Sequence, residues 1–293
     1  MDRKEILGCC LSVALLLGAG SCGGKRKVVV GSKNFTESVL VGEIVAQHLE
    51  RRGIPVNRRL NLGGTLLAHQ SLVSREIDLY PEYTGTAFTN VLKHSGVTDP
   101  GVVLDRVRGE YSSGMGLEWL DPLGFDDSFA MTVRGADARG RHLETLSDAA
   151  NDPKGFALGA GYEFLQRPDG FATLNQTYSI KWTTAVKSMD LGLLYTALLQ
   201  NQVSMVAGGS TDGVLATLDV RVLKDDKHAF PPYQACVVVR SDTLGTVPGL
   251  RAALVELSGK FTTAKMRQLN LEVDSKHRRE ADVAKEFLDG AGL

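Results

Sequence analysis

Val28-Val29-Val30-Gly31-Ser32-Lys33-Asn34-Phe35-Thr36-Glu37 is an apolar run that stops at a glycine and gives way to hydroxyls, a lysine and a carboxylate. The same form returns at Asn61-Leu62-Gly63-Gly64-Thr65 and at Asp78-Leu79-Tyr80-Pro81-Glu82-Tyr83-Thr84-Gly85-Thr86. Each reads as a strand that ends in a polar turn just before a helix begins. In an open α/β sheet these edges are where ligands bind, because free backbone N–H groups and the helix dipole favour polar partners there. Three such edges close together in sequence point to one shared cleft.

Outward from this stretch, strands and helices alternate. Residues 27–31 read as a strand and 37–52 as an amphipathic helix with Val39, Leu40, Ile44, Val45 and Leu49 on its apolar face and Thr36 as its N-cap. A strand over 55–61, a helix over 65–74, a short strand over 77–80 and a helix over 101–113 follow. A second set comprises strands over 129–133, 156–160, 203–207 and 220–223, with helices near 143–150, 170–178 and 189–200. Residues 236–240 form a last strand, and 247–288 are mostly helical. Alternation with short strands is the α/β pattern. Asp121-Pro122-Leu123-Gly124 and Phe230-Pro231-Pro232-Tyr233 are turn-rich crossing points. They divide the chain into a discontinuous lobe 1 (23–127 and 233–293) and an inserted lobe 2 (128–232). Two crossings make a hinge, which suits closure round a ligand.

Residues 1–22 read as an export signal. Arg3 and Lys4 precede an apolar run from Ile6 to Leu17, too short to span a membrane core, and small residues lead into Cys22. Small residues directly before a cysteine resemble a bacterial lipoprotein signal, with Cys22 acylated and the chain held at a membrane surface outside the cytoplasm. Cys9 and Cys10 leave with the signal, and Cys236 lies in an apolar strand, so no disulfide framework arises from the four cysteines. The six histidines show no ligand spacing, and no metal or cofactor site is expected. A net charge of -1 with 43% hydrophobic residues argues against a nucleic-acid surface and against disorder. The glycine turns at 63–65 and 208–210 lack nucleotide-loop spacing. No nucleophile–base pair stands out, so no enzyme is expected.

The three quoted motifs, together with Glu163-Phe164…Arg167-Pro168-Asp169-Gly170, Ser210-Thr211-Asp212-Gly213 and Asp225-Asp226-Lys227-His228…Phe230-Pro231-Pro232-Tyr233, resemble the substrate-binding proteins of osmoprotectant ABC importers from residue 28 to the C-terminus. The resemblance implies a type II periplasmic binding-protein fold of two α/β lobes. It implies capture of a quaternary amine such as glycine betaine, choline or carnitine, and delivery to permease and ATPase subunits on separate chains, with the binding protein a monomer. A quaternary ammonium has no N–H to donate, so aromatic faces meet its charge, each worth roughly 0.5–2 kcal/mol. Carried over by position, the ammonium box is Tyr83, Phe129, Gly209 and Tyr233, and a ligand carboxylate would meet Lys33, Thr86 and Arg167.

Two positions depart from the family pattern. Phe129 keeps a π-face without a hydroxyl, and Gly209 stands where the family has a tyrosine. Loss of that wall leaves either a weaker betaine site or room for a larger compound, such as a carnitine-like molecule, a histidine-derived betaine or a choline ester. Bland readings stand beside these: Lys33 as a solvated loop residue, Arg167 as an ion partner of Asp169 or Glu163, Thr86 as a helix cap, Phe129 as core. Asp126, Asp127 and Asp212 could supplement the ammonium site, while Asp212 could equally cap a helix. Tyr162 or Trp182 could replace the missing aromatic, although Trp182 suits the lobe 2 core. Tyr80, His48 and His69 read as structural. The competing function is a ligand-sensing protein acting on a membrane signalling partner.

Overall fold

The computed structural model describes residues 26–293; the signal segment and Cys22 lie outside the described residues. Ten strands form two sheets of five. The first sheet contains β1 (Val28–Gly31), β2 (Val56–Arg59), β3 (Leu79–Tyr83) and β4 (Leu117–Trp119), and the second contains β5 (Phe129–Arg134), β6 (Leu158–Ala160), β7 (Lys187–Ser188), β8 (Met205–Gly209) and β9 (Val220–Val222). β10 (Ala235–Arg240) returns to the first sheet, whose order is β2-β1-β3-β10-β4; the second runs β7-β6-β8-β5-β9.

Both sheets are mixed in the same way. β1 pairs parallel with β2 and β3, while β10 runs antiparallel to β3 and β4. In the second sheet β6 pairs parallel with β7 and β8, while β5 runs antiparallel to β8 and β9. The chain passes from β4 to β5 and returns from β9 to β10. These two connections lie side by side: Asp126 bridges Gln234, and Asp127 N–H donates to the Tyr233 carbonyl at 3.1 Å. Each sheet's antiparallel strand is therefore the one that enters directly from a connection.

The helix Thr36–Arg51 forms because its apolar residues recur at helical spacing; Leu40, Val41, Ile44, Val45 and Leu49 are buried. It packs on the helix Glu280–Ala291. Its N-cap is Phe35, and Thr36 instead donates to Asp274, so the expected cap is displaced by one residue. β3 continues past residue 80 to Tyr83 through Pro81 in the centre of the sheet. The parallel contact of β3 with β1 is confined to Leu79 with Val30, so Pro81 breaks no ladder with that neighbour. The stretch Ala87–Val91 is a π-helix, and the C-terminal region resolves into the helices Leu250–Val255, Thr263–Asp274 and Glu280–Ala291. No helix among the described residues is long and apolar enough to cross a membrane.

Candidate functional site

The strand ends converge where the two sheets face each other. Lys33, on the turn after β1, is buried, and its Nζ lies 2.6 Å from Glu82 Oε1. The same ammonium stands 4.6 Å from the Tyr83 ring centre and 5.4 Å from that of Phe35. Tyr83, at the end of β3, donates its hydroxyl to Glu37 Oε1 at 2.6 Å. Lys33 is thus no solvated loop residue, because a buried ammonium needs a partner and Glu82 supplies one. Glu82 and Tyr80 lie two residues apart on one side of β3 and are bonded at 2.9 Å, a pairing the period of a strand makes legible.

Across the cleft, Arg167 donates Nε and Nη2 to the two oxygens of Asp169, at 2.9 and 2.7 Å, and Nη2 also reaches Thr86 Oγ1 at 3.1 Å. Its guanidinium stands 4.9 Å from the centre of Phe129 and 5.7 Å from that of Tyr233. Phe129 meets Phe164, Phe230 and Tyr233 edge-on at 4.8, 5.3 and 5.7 Å. It is packed among these rings and half-buried. Of the alternatives for Arg167, the partner is Asp169 and not Glu163.

Asp169, expected only as an ion partner of Arg167, is a hub. Besides Arg167 it accepts from Tyr233 OH at 2.7 Å, Thr89 Oγ1 at 2.8 Å and Asn90 Nδ2 at 3.2 Å. Thr89 and Asn90 sit on the π-helix, an insertion that often marks functional positions. Burial pushes the Asp169 carboxyl up, but the Arg167 bonds outweigh it and the net shift is downward. Asp169 therefore joins an element next to the first sheet to one next to the second.

Gly209 ends β8 and faces Phe129 in register. The space beside it is taken by carboxylates. A Cβ there would stand 2.9 Å from Asp127 Oδ1 and 3.2 Å from Asp212 Oδ1. Asp212 accepts from Tyr195 OH at 2.7 Å and Gly209 N–H at 2.9 Å, so its side chain does not cap the helical turn that follows. Burial, then Asp127, pushes the Asp212 carboxyl up to about 7. Burial, then Asp127, also raises Glu37, and burial raises Asp127 and Asp126. Trp182 packs on Phe171 away from these residues, and Tyr162 is exposed. Neither replaces the missing ring. Among the described residues no group of side chains is arranged to hold a metal ion.

All seven expected residues (Lys33, Tyr83, Thr86, Phe129, Arg167, Gly209 and Tyr233) come together in this region. Two mixed sheets with paired connections and a buried polar and aromatic network between them define a type II periplasmic binding-protein fold. The chain belongs to the family described as the substrate binding domain of ABC-type glycine betaine transport system, whose pattern matches residues 26–290. Ergothioneine transport permease/ergothioneine binding protein EgtU of Helicobacter pylori strain G27 is 32% identical over 284 residues, 97% of this chain and 51% of its own length. The chain thus spans about half the length of that relative. Carnitine transport binding protein OpuCC of Listeria monocytogenes serotype 1/2a strain 10403S is 32% identical over 281 residues, 95% of this chain and 91% of its own length. A solved structure described as a glycine betaine/carnitine/choline ABC transporter superposes with a TM-score of 0.78 at 31% identity, covering 91% of this chain and 99% of that one.

Proposed function

We propose that this chain captures a quaternary ammonium compound in the cleft between its sheets and delivers it to the permease of an ABC importer, outside the cytoplasm. The observation that carries the reading is the convergence of three aromatic residues, Tyr83, Phe129 and Tyr233, with the donors Lys33, Thr86 and Arg167. Aromatic faces attract a cation that cannot be hydrogen-bonded, and Thr86 and Arg167 face a carboxylate or hydroxyl at the other end. Relatives named for glycine betaine, carnitine and ergothioneine support this ligand class. Transport names among the relatives favour import over signalling.

Lobe 1 comprises 23–127 and 233–293 and lobe 2 comprises 128–232; the side-by-side connections at Asp126 and Gln234 support a hinge there. Residues 1–21 are removed and Cys22, the new N-terminus, carries lipid that tethers a monomeric domain, which the small residues before Cys22 support. Cys22→Ala should move the protein from the detergent phase to the aqueous phase on cloud-point partition; retention in detergent contradicts the anchor. Calorimetric titration of the chain with choline, glycine betaine, carnitine and ergothioneine tests the function, and Tyr233→Ala should weaken the observed affinity by at least about ten-fold. An unchanged affinity in that variant removes Tyr233 from the site.

A further inference from the structure

The described residues begin at Arg26, beside an exposed apolar groove. β1 runs from Val28 towards Lys33 and the cleft, so Arg26 stands at the opposite end of the first sheet. β10 runs the other way, from beside Tyr233 to Arg240, and delivers the helix Ser241–Thr246 to that same end. There Arg26 donates from Nη1 to Thr246 Oγ1 at 3.3 Å, and from Nη2 to Thr243 Oγ1 at 3.4 Å and Asp78 Oδ1 at 2.7 Å. Between this helix and Leu250–Val255, a shallow groove is lined by Leu244, Val247, Pro248, Ala252 and Val255, with Arg251 as its charged residue and no carboxylate. Val255 is 44% exposed, and Arg26 and Lys27 are exposed as well. Asp78, Asp242 and Glu118, at this end, are each paired with an arginine. The surface is therefore apolar with a basic rim.

Gly23, Gly24 and Lys25 alone separate Cys22 from Arg26. Four residues of fully extended chain reach at most about 14 Å, so lipid on Cys22 holds this end of the first sheet within that distance of the point where acyl chains enter the bilayer. From this covalent limit, and resting on the reading that Cys22 is acylated, we infer that the groove between Leu244 and Val255 is a membrane seat. It lies against an anionic phospholipid surface, with Arg26, Lys27 and Arg251 among the headgroups. Long basic side chains rest their stems on apolar surface and keep their charge at the headgroup level, and anionic lipid attracts them there. The seat is at the end of the sheet remote from Lys33, Tyr83 and Tyr233, so it leaves the cleft residues clear of the bilayer.

The acylated full chain, reconstituted on vesicles of phosphatidylglycerol and phosphatidylethanolamine, tests the assignment. A dye is placed on Val255→Cys and, in a separate variant, on Val222→Cys at the exposed edge of the second sheet; Cys236 is buried and takes no label. Brominated lipid should quench the dye at 255 at least about three-fold more than the dye at 222. Lys27→Glu combined with Arg251→Glu should bring quenching at 255 down to the level at 222. Equal quenching at the two positions, with the chain still bound to the vesicles, overturns the seat while the acylation reading stands. Quenching at 255 that survives the charge reversal also overturns it, since the short tether alone then sets the distance. If the native chain stays off the vesicles as Cys22→Ala does, the acylation reading falls and takes the seat with it.

Discussion

Asp169 accepts five hydrogen bonds from four side chains, and two of those, Arg167 and Tyr233, are expected to face the ligand. Both members of the Arg167–Asp169 pair are largely buried, at 11% and 2% side-chain exposure. Removing one partner of a buried pair strands the other, which typically costs about 3–5 kcal/mol. Asp169→Ala should therefore lower denaturant stability by an amount in that range, and a loss under about 1 kcal/mol would contradict the hub. Cys236 shows the opposite case, a group with no chemistry to perform. Burial pushes its thiol up to about 12, so it should stay unreactive to thiol reagents until the chain unfolds. The seven expected residues were legible through the family resemblance, and Lys33, Tyr83, Phe129, Gly209 and Tyr233 lie at or beside strand ends. Glu82, Thr89 and Asn90 were not singled out, because Lys33 and Asp169, the charged groups they meet, are distant in sequence, which spacing does not reveal.

The helix Thr65–Val73 is joined to the second sheet's elements through its N-terminus. Thr65 N–H donates to Glu163 Oε1 at 2.7 Å and Thr65 Oγ1 lies 3.2 Å from Oε2, so a carboxylate from across the cleft caps the first turn. Gly64 makes room for it, since a Cβ there would fall 2.1 Å from Glu163 Oε1. Gly64→Ala forces that carboxylate to swing away. The variant should release ligand a few-fold faster at nearly unchanged melting temperature, by stopped-flow and thermal unfolding. An unchanged release rate would mean that the contact plays no part in closure. The long elements were readable from their periodicity, but β4 and the π-helix were not. β4 lies directly after the helix Pro100–Met115 with Gly116 alone between them, and the π-helix continues the helical turn Thr84–Thr86 that follows β3, so no break marks its start.

At the scale of the whole molecule, the raised buried acids give one pH-dependent contribution, opposed near neutrality by His48 and His69, whose pKa values are lowered by burial. Asp212 titrates near 7 in the folded chain against an ordinary value of 3.8, and Glu37, Asp126 and Asp127 are shifted the same way. The folded state thus holds protons that the unfolded chain releases. The stabilisation is present below about pH 4 and is lost as the pH rises through about 7. The ligand-free melting temperature should fall across that window, and Asp212→Asn should flatten the fall; a rise with pH would contradict the sign. A bound cation favours the ionised carboxylates, so ligand affinity should increase over the same window. Two lobes and two crossings were legible from turn-rich segments. The mixed strand order was not, because sequence alternation fixes neighbours in the chain but not partners in the sheet. The central claim is that the cleft binds a quaternary ammonium. Calorimetric titration of the full chain with choline, glycine betaine, carnitine and ergothioneine tests it most directly. Saturable one-to-one binding of at least one is the predicted result, and the absence of binding to all four would contradict it.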